Sequence, residues 1–155
     1  LRKRASLLID TSDMQLSDLK RALDGQFGLN NVAGLSVFIS SFGFKYGLLR
    51  DADLVFDVRF LKNPYYDINL RLLSGKDQVV QDYIASDDGF ELFFERLLEL
   101  LNFLLGRYEA EGKSYLTIAI GCTGGQHRSV FAAEWLAKAL QGHKFPIQVK
   151  HRDMK

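Results

Sequence analysis

The sequence predicts an α/β fold, a three-layer sandwich around a largely parallel sheet, and three observations carry that prediction. Short runs rich in branched and aromatic residues alternate with longer stretches of helical periodicity, the pattern of strand–helix units that build parallel sheets. The run Tyr115–Ile120 holds no charge, as a central strand covered on both faces requires. Three glycines then fall within five residues, Gly121, Gly124 and Gly125, directly before a helical stretch. That is the composition of a strand-to-helix turn.

The elements follow in order. Ser6–Asp10 reads as a short buried strand. Ser12 with Gln15 resembles a capping box, after which Leu16, Leu19 and Leu23 recur at helical spacing as far as Gly25. Leu35–Ile39 is a second strand, and Asp53–Val58 a third in which Leu54, Phe56 and Val58 alternate with Val55 and Asp57. A short helix is expected within Lys76–Ala85. Asp88 with Glu91 reads as a second capping box, opening a helix from Gly89 to Ala110. Its polar positions Glu91, Glu95, Glu99 and Asn102 form a narrow stripe, so it is expected to be buried against a sheet or a partner chain. His127–Gln141 is a further helix with polar positions Glu134, Lys138 and Gln141, and Ile147–Lys150 a closing strand.

Composition sets the outer bounds. The chain has 155 residues, 47% apolar and 25% charged, with two prolines; this is one ordinary domain with a sizeable core. A net charge of +1 gives no whole-molecule field directed at nucleic acid or membrane. One cysteine, Cys122, precludes an intrachain disulfide and favours a cytoplasmic setting. No apolar run reaches the roughly 20 residues of a membrane span, and the start lacks the features of a signal peptide. A chain opening Leu-Arg-Lys-Arg is expected to be part of something longer, with residues 1–8 as linker and 9–155 as one domain.

The segment Gly121–Ser129 carries the chemistry. Glycines let backbone N–H groups approach a ligand closely, and the helix that follows adds unsatisfied N–H groups and a positive dipole end. Arg128 in the first turn is expected to grip a phosphate bidentately, with Thr123 and Ser129 as hydroxyl donors. No G-x-x-x-x-G-K-[ST] occurs, so a P-loop nucleotide site is not expected. Two further segments leave strand ends and are candidate walls: Ser41–Gly47 with Lys45 and Tyr46, and Asp57–Pro64 with Arg59 and Asn63. Lys45 and Arg59 suit a phosphate, Asp57 and Asn63 a sugar hydroxyl or amine. The plainer readings are that Asp57 pairs with Arg59 and that Tyr46 packs.

Cys122 and Arg128 also satisfy C-x-x-G-x-x-R-S, the loop of cysteine-dependent phosphatases, whose thiolate attacks phosphorus. Gly121 stands where those enzymes carry histidine, and no aspartate stands out as general acid. A binding domain without chemistry of its own is therefore the leading expectation, and the phosphatase the alternative. No metal site and no cofactor are expected.

Three long motifs, Ser-Phe-Gly-Phe-Lys, Asp-Ala-Asp-Leu-Val-Phe-Asp-Val-Arg-Phe-Leu-Lys-Asn-Pro and Ser-Tyr-Leu-Thr-Ile-Ala-Ile-Gly-Cys-Thr-Gly-Gly-Gln-His-Arg-Ser, closely resemble the C-terminal half of the RapZ (YvcJ-like) family from Ile9 to Arg152. The resemblance implies a missing N-terminal P-loop domain that binds and hydrolyses ATP and GTP. It also implies a C-terminal domain like the one that, in enterobacterial members, binds glucosamine-6-phosphate and a small regulatory RNA and presents that RNA to a ribonuclease. Gly121, Cys122, Thr123, Gly124, Gly125, His127, Arg128 and Ser129 match the family's ligand loop. Tyr46 stands where enterobacterial members have histidine. RNA contact would fall to Lys150, His151, Arg152 and Lys155, in place of a longer basic tail. A homo-oligomer is expected.

Overall fold

Four strands, all parallel, form the sheet: β1 Ser36–Gly43, β2 Leu54–Asp57, β3 Tyr115–Cys122 and β4 Ile147–His151, in the spatial order β2-β3-β1-β4. Helices α1 Gln78–Ala85 and α2 Phe90–Ala110 connect β2 to β3, and α3 Arg128–Ala139 connects β3 to β4. These elements belong to a computed structural model that describes residues 34–155 and, ahead of them, Leu19 alone. The strand expected at Ser6–Asp10, the helix expected after Ser12 and the boundary at residue 8 lie outside the described residues.

Strand periodicity places the core. Val37 pairs with Leu116 and Ile39 with Ile118; these four share one apolar cluster with Leu54, Phe56, Ile147 and Val149 and with the helical residues Ile84, Phe94, Leu101 and Leu136. Because successive strand residues point to opposite faces, the cluster marks one face of the sheet. The crossovers β2 to β3 and β3 to β4 step the same way across the sheet, and right-handed connections then lay their helices on that same side. The alternate residues Ser36, Phe38, Ser40 and Thr117 are half-buried. The described residues thus supply the sheet and the helical layer on one face.

Helix α2 is held by Phe94, Leu97, Leu101 and Leu105, at spacings that keep them on one stripe, all buried. Each such side chain contributes roughly 1.5–3 kcal/mol. Phe90 stacks on Phe131 of α3 with centroids 5.4 Å apart, and Phe94 meets Trp135 at 4.5 Å. The helix is not buried all round, however: Leu92, Leu100 and Phe103 are exposed.

Its start also departs from expectation. Gly89 is the N-cap, with no side-chain cap bond, and Asp88 forms no capping box. The neighbouring Asp87 takes that part, its Oδ1 accepting from Gly89 N at 2.9 Å and its Oδ2 from Lys62 N at 2.8 Å. β1 and β3 both run longer than expected, to Gly43 and Cys122, where Phe42 pairs with Gly121 and Gly43 with Cys122.

Candidate functional site

A parallel sheet brings every carboxyl end to one edge, and the candidate residues all leave those ends. Lys45 and Tyr46 follow β1; Asp57 closes β2, with Arg59 and Asn63 beyond it; Thr123–His127 follow β3; Arg152 and Asp153 follow β4. In open α/β sheets this edge is where ligands sit.

The loop after β3 is locked from beneath. Gly125 has φ +74°, and a Cβ there would lie 2.8 Å from both Gly43 N and the Cβ of Asp153. Only glycine fits such a backbone without strain. A Cβ on Gly43 would likewise lie 2.7 Å from the backbone of Gly124, so the turns after β1 and β3 touch main chain to main chain. Asp153 Oδ2 accepts from Gly43 N at 2.7 Å, while Arg152 pairs with Asp153 at 2.7 Å and donates from Nη2 to Gly43 O. Gly124 is different: a Cβ there would meet nothing within 4 Å. It forms the open crest of the loop.

At Gly121 the missing side chain makes room for packing. A Cβ there would lie 2.5 Å from the rings of both Phe42 and Phe44, and its carbonyl accepts from Val58 N. Cys122 is buried; its Sγ lies 3.1 Å from Ser129 Oγ and accepts from Gly125 N at 3.2 Å. Ser129, fully buried, is thereby spent on the sulfur and does not reach the loop's outer side.

Arg128 also departs from the simple fork. It is 5% exposed, and its Nη1 donates to Arg59 O at 2.5 Å and Leu61 O at 3.1 Å, while Nη2 donates to Thr123 Oγ1 at 3.3 Å. Nη1 is fully committed to tying the turn after β2. Nε–H and one Nη2–H have no acceptor among the described residues. Burial pushes the guanidinium pKa down, against the attraction of Cys122 and Asp57, and Arg128 forms no ion pair among the described residues. Nor do the backbone N–H groups of Gly124, Gln126, His127, Arg128 and Ser129 find an acceptor among them. Burial lowers the His127 pKa too, against nearby backbone at Leu73 and Arg71. Its Nε2 is buried without a hydrogen-bond partner.

Around this core the walls are partly committed. Arg59 chelates Asp57, with Nη2 to Oδ2 at 2.6 Å, and lies 4.4 Å from the Phe44 ring; the side-chain bond to Arg59 holds the Asp57 carboxyl below the ordinary range against its partial burial. Asn63 Oδ1 caps the turn Pro64–Tyr66 by accepting from Tyr65 N. Lys45 is exposed, its ammonium 4.7 Å from the Tyr46 ring, and the Tyr46 hydroxyl raises its pKa.

The residues assigned to RNA separate. His151 points inward, Nδ1 2.8 Å from Ser41 Oγ and Nε2 2.9 Å from Glu134 Oε1. Arg152 is spent on Asp153 and Gly43. Lys150 and Lys155 stay exposed. Sequence reasoning missed Asp153, Ser41 and Glu134 as structural partners; the one signal was an aspartate inside a basic tail. Among the described residues no helix is long and apolar enough to cross a membrane, and no cluster of His, Cys, Asp or Glu could hold a metal ion.

The fold and the loop define an α/β domain of the parallel-sheet class, with its candidate site at the carboxyl ends of the strands. Comparison with known proteins makes this specific. The family described as the RapZ C-terminal domain matches residues 35–155, and the chain belongs to that family. It is 50% identical over 154 residues to a nucleotide-binding protein of Paramagnetospirillum magneticum, covering 99% of this chain and 50% of that one. Against a nucleotide-binding protein of Rhodospirillum rubrum it is 50% identical over 155 residues, covering 100% and 49%. Against one of Bacillus velezensis it is 50% identical over 154 residues, covering 99% and 52%. The chain spans about half the length of these relatives.

Proposed function

We propose that this domain is a regulatory binding module for a phosphorylated amino sugar of the glucosamine-6-phosphate class, held over the crest of the loop at Gly124 and the start of α3. The buried guanidinium of Arg128 carries the reading. It sits at a helix N-terminus, where the dipole disfavours a cation, lacks an ion-pair partner among the described residues, and belongs to the segment 124–129, in which the amides of Gly124, Gln126, His127, Arg128 and Ser129 have no acceptor among those residues. A buried cation beside orphan N–H groups calls for an anion. Phosphate suits it, meeting the loop amides and the uncommitted Nε–H and Nη2–H of Arg128. Lys45 and the amide nitrogen of Asn63 are then available to the sugar, and Asp57 would meet it only by sharing the carboxylate that Arg59 holds.

In the longer protein, ATP or GTP would belong to a separate P-loop domain, and occupancy of this site would report amino-sugar phosphate to it. A role in presenting a small regulatory RNA to a ribonuclease would rest on Lys150 and Lys155 rather than on His151 and Arg152.

Titration calorimetry on the 155-residue chain tests the site. Glucosamine-6-phosphate should bind, orthophosphate more weakly, and glucosamine not at all. Equal binding of the phosphorylated and free sugars, or of neither, would overturn the reading.

A further inference from the structure

Among the described residues, His127 Nε2 is the one buried side-chain nitrogen or oxygen without a hydrogen-bond partner. The residue is 7% exposed and stands as the N-cap of α3. Whichever nitrogen carries the proton of a neutral imidazole, Nε2 is left there as an unmet donor or acceptor. A buried polar atom in that state is destabilising, and native folds keep few of them. No hydrogen bond within the loop accounts for this one.

Three elements surround the ring. On its own helix, Arg128 disfavours a second positive charge. At the start of α1, Asp77 favours one, although its carboxylate is already bound to Ser74 N at 2.7 Å and Ser74 Oγ at 2.9 Å. The turn before α1 closes against the loop: Gly75 N donates to Gln126 O at 3.0 Å, and a Cβ on Gly75 would strike His127 O. Backbone of that turn, at Leu73 and Arg71, also favours a protonated ring. Burial outweighs Asp77 and this backbone and holds the His127 pKa below its ordinary value. The free domain therefore keeps a neutral imidazole at neutral pH, beside groups that favour the charged form.

An anion on the loop shifts that balance. The amide of His127 is itself without an acceptor among the described residues, as are those of Gln126, Arg128 and Ser129. A phosphate taking these amides would offset the repulsion from Arg128 and add an attraction of its own. We propose that binding at this loop is proton-linked: as the anion seats, His127 takes a proton from solvent, and the ligand is held more tightly as pH falls. The proton returns to solvent when the ligand leaves. The sign follows from linkage, since protonation is disfavoured in the free domain and favoured in the occupied one. This inference rests on the reading of the loop as a phosphate site, and it concerns how pH regulates occupancy there.

Titration calorimetry with glucosamine-6-phosphate at pH 7, in two buffers of different ionisation enthalpy, counts the protons exchanged. The ligand's own amine and phosphate titrate with either protein, so the difference between wild type and His127→Gln belongs to His127. Wild type should take up protons that the variant does not, and the ratio of wild-type to variant affinity should rise about tenfold from pH 8 to pH 6. Equal proton uptake in both proteins, or a flat ratio, would overturn the proton link and leave the phosphate site standing. Absence of binding in wild type would overturn both. Where His127→Gln fails to fold or bind, NMR titration of the assigned His127 ring in wild type decides. Its midpoint should lie at higher pH with saturating ligand than without, and an unmoved midpoint would sink the proposal.

Discussion

Removing Arg128 tests how far this side chain supports the fold as well as the ligand. From sequence alone, Arg128→Ala should leave folding nearly untouched, since a cation leaves a helix N-terminus and relieves about 0.3–1 kcal/mol of unfavourable dipole interaction. The structure reverses the sign. Nη1 holds the carbonyls of Arg59 and Leu61, and Nη2 holds Thr123 Oγ1. Hydrogen bonds to charged groups contribute about 1.5–3 kcal/mol, and a buried carbonyl left unsatisfied costs about 1–3 kcal/mol. Leu61 is buried and Arg59 exposed, so one full penalty applies and one partial. Net of the dipole relief, a loss of roughly 2–3 kcal/mol follows. At about 2–4 °C per kcal/mol for a domain of this size, Tm should fall by roughly 4–12 °C. Differential scanning calorimetry reads the fold, and titration with glucosamine-6-phosphate on Arg128→Lys reads the site, since lysine keeps the charge but cannot reach all three acceptors. A Tm within 1 °C of wild type for Arg128→Ala would refute the carbonyl bridge. Unchanged affinity in Arg128→Lys and in Arg128→Ala would move the ligand elsewhere.

Two shorter predictions concern Cys122 and Asp153. Cys122→Ser should bind glucosamine-6-phosphate within about twofold of wild type, because a hydroxyl can still accept from Gly125 N and meet Ser129. Wild type should release no phosphate from p-nitrophenyl phosphate; steady, cysteine-dependent release would favour the phosphatase. Burial alone would raise the Asp153 pKa, but bonds from Arg152 and Gly43 N outweigh it and hold the carboxyl below its ordinary range. Its folded pKa therefore lies below the unfolded value of about 3.9, so its stabilisation is full above that pH and fades as pH falls through the folded value. Urea melts should show that Asp153→Asn costs roughly 1–2 kcal/mol at pH 7 and loses less than wild type between pH 5 and 3.

The strands and helices of residues 34–155 were legible because their signals are local. Alternation in Leu54–Asp57 and the stripe Phe94, Leu97, Leu101 and Leu105 each report a period to a single window of sequence. The strand ends were less so. Ser41–Gly43 and Gly121–Cys122 have the small residues of turns, yet they pair across two central strands, where the missing side chain of Gly121 makes room for Phe42 and Phe44. The cap at α2 was misplaced by one residue, because Asp87 and Asp88 are equivalent in sequence and only the contact with Lys62 N separates them. The position of the loop at a sheet edge was visible. The engagement of Arg128 with carbonyls 67 and 69 residues earlier was not, nor was the inward turn of His151, since both depend on pairings no local pattern encodes.

The tie between Gly43 and the segment after β4 has a consequence for synthesis. Asp153 and Arg152 reach back across 110 and 109 residues to hold the turn after β1, and that turn in turn braces the loop at Gly124 and Gly125. On the ribosome, where domains form as the chain emerges, β1, β2 and β3 can be translated and paired while this brace is still unmade. A nascent chain would therefore acquire its sheet well before it could close the loop, which stays unbraced until the last of these residues has left the exit tunnel.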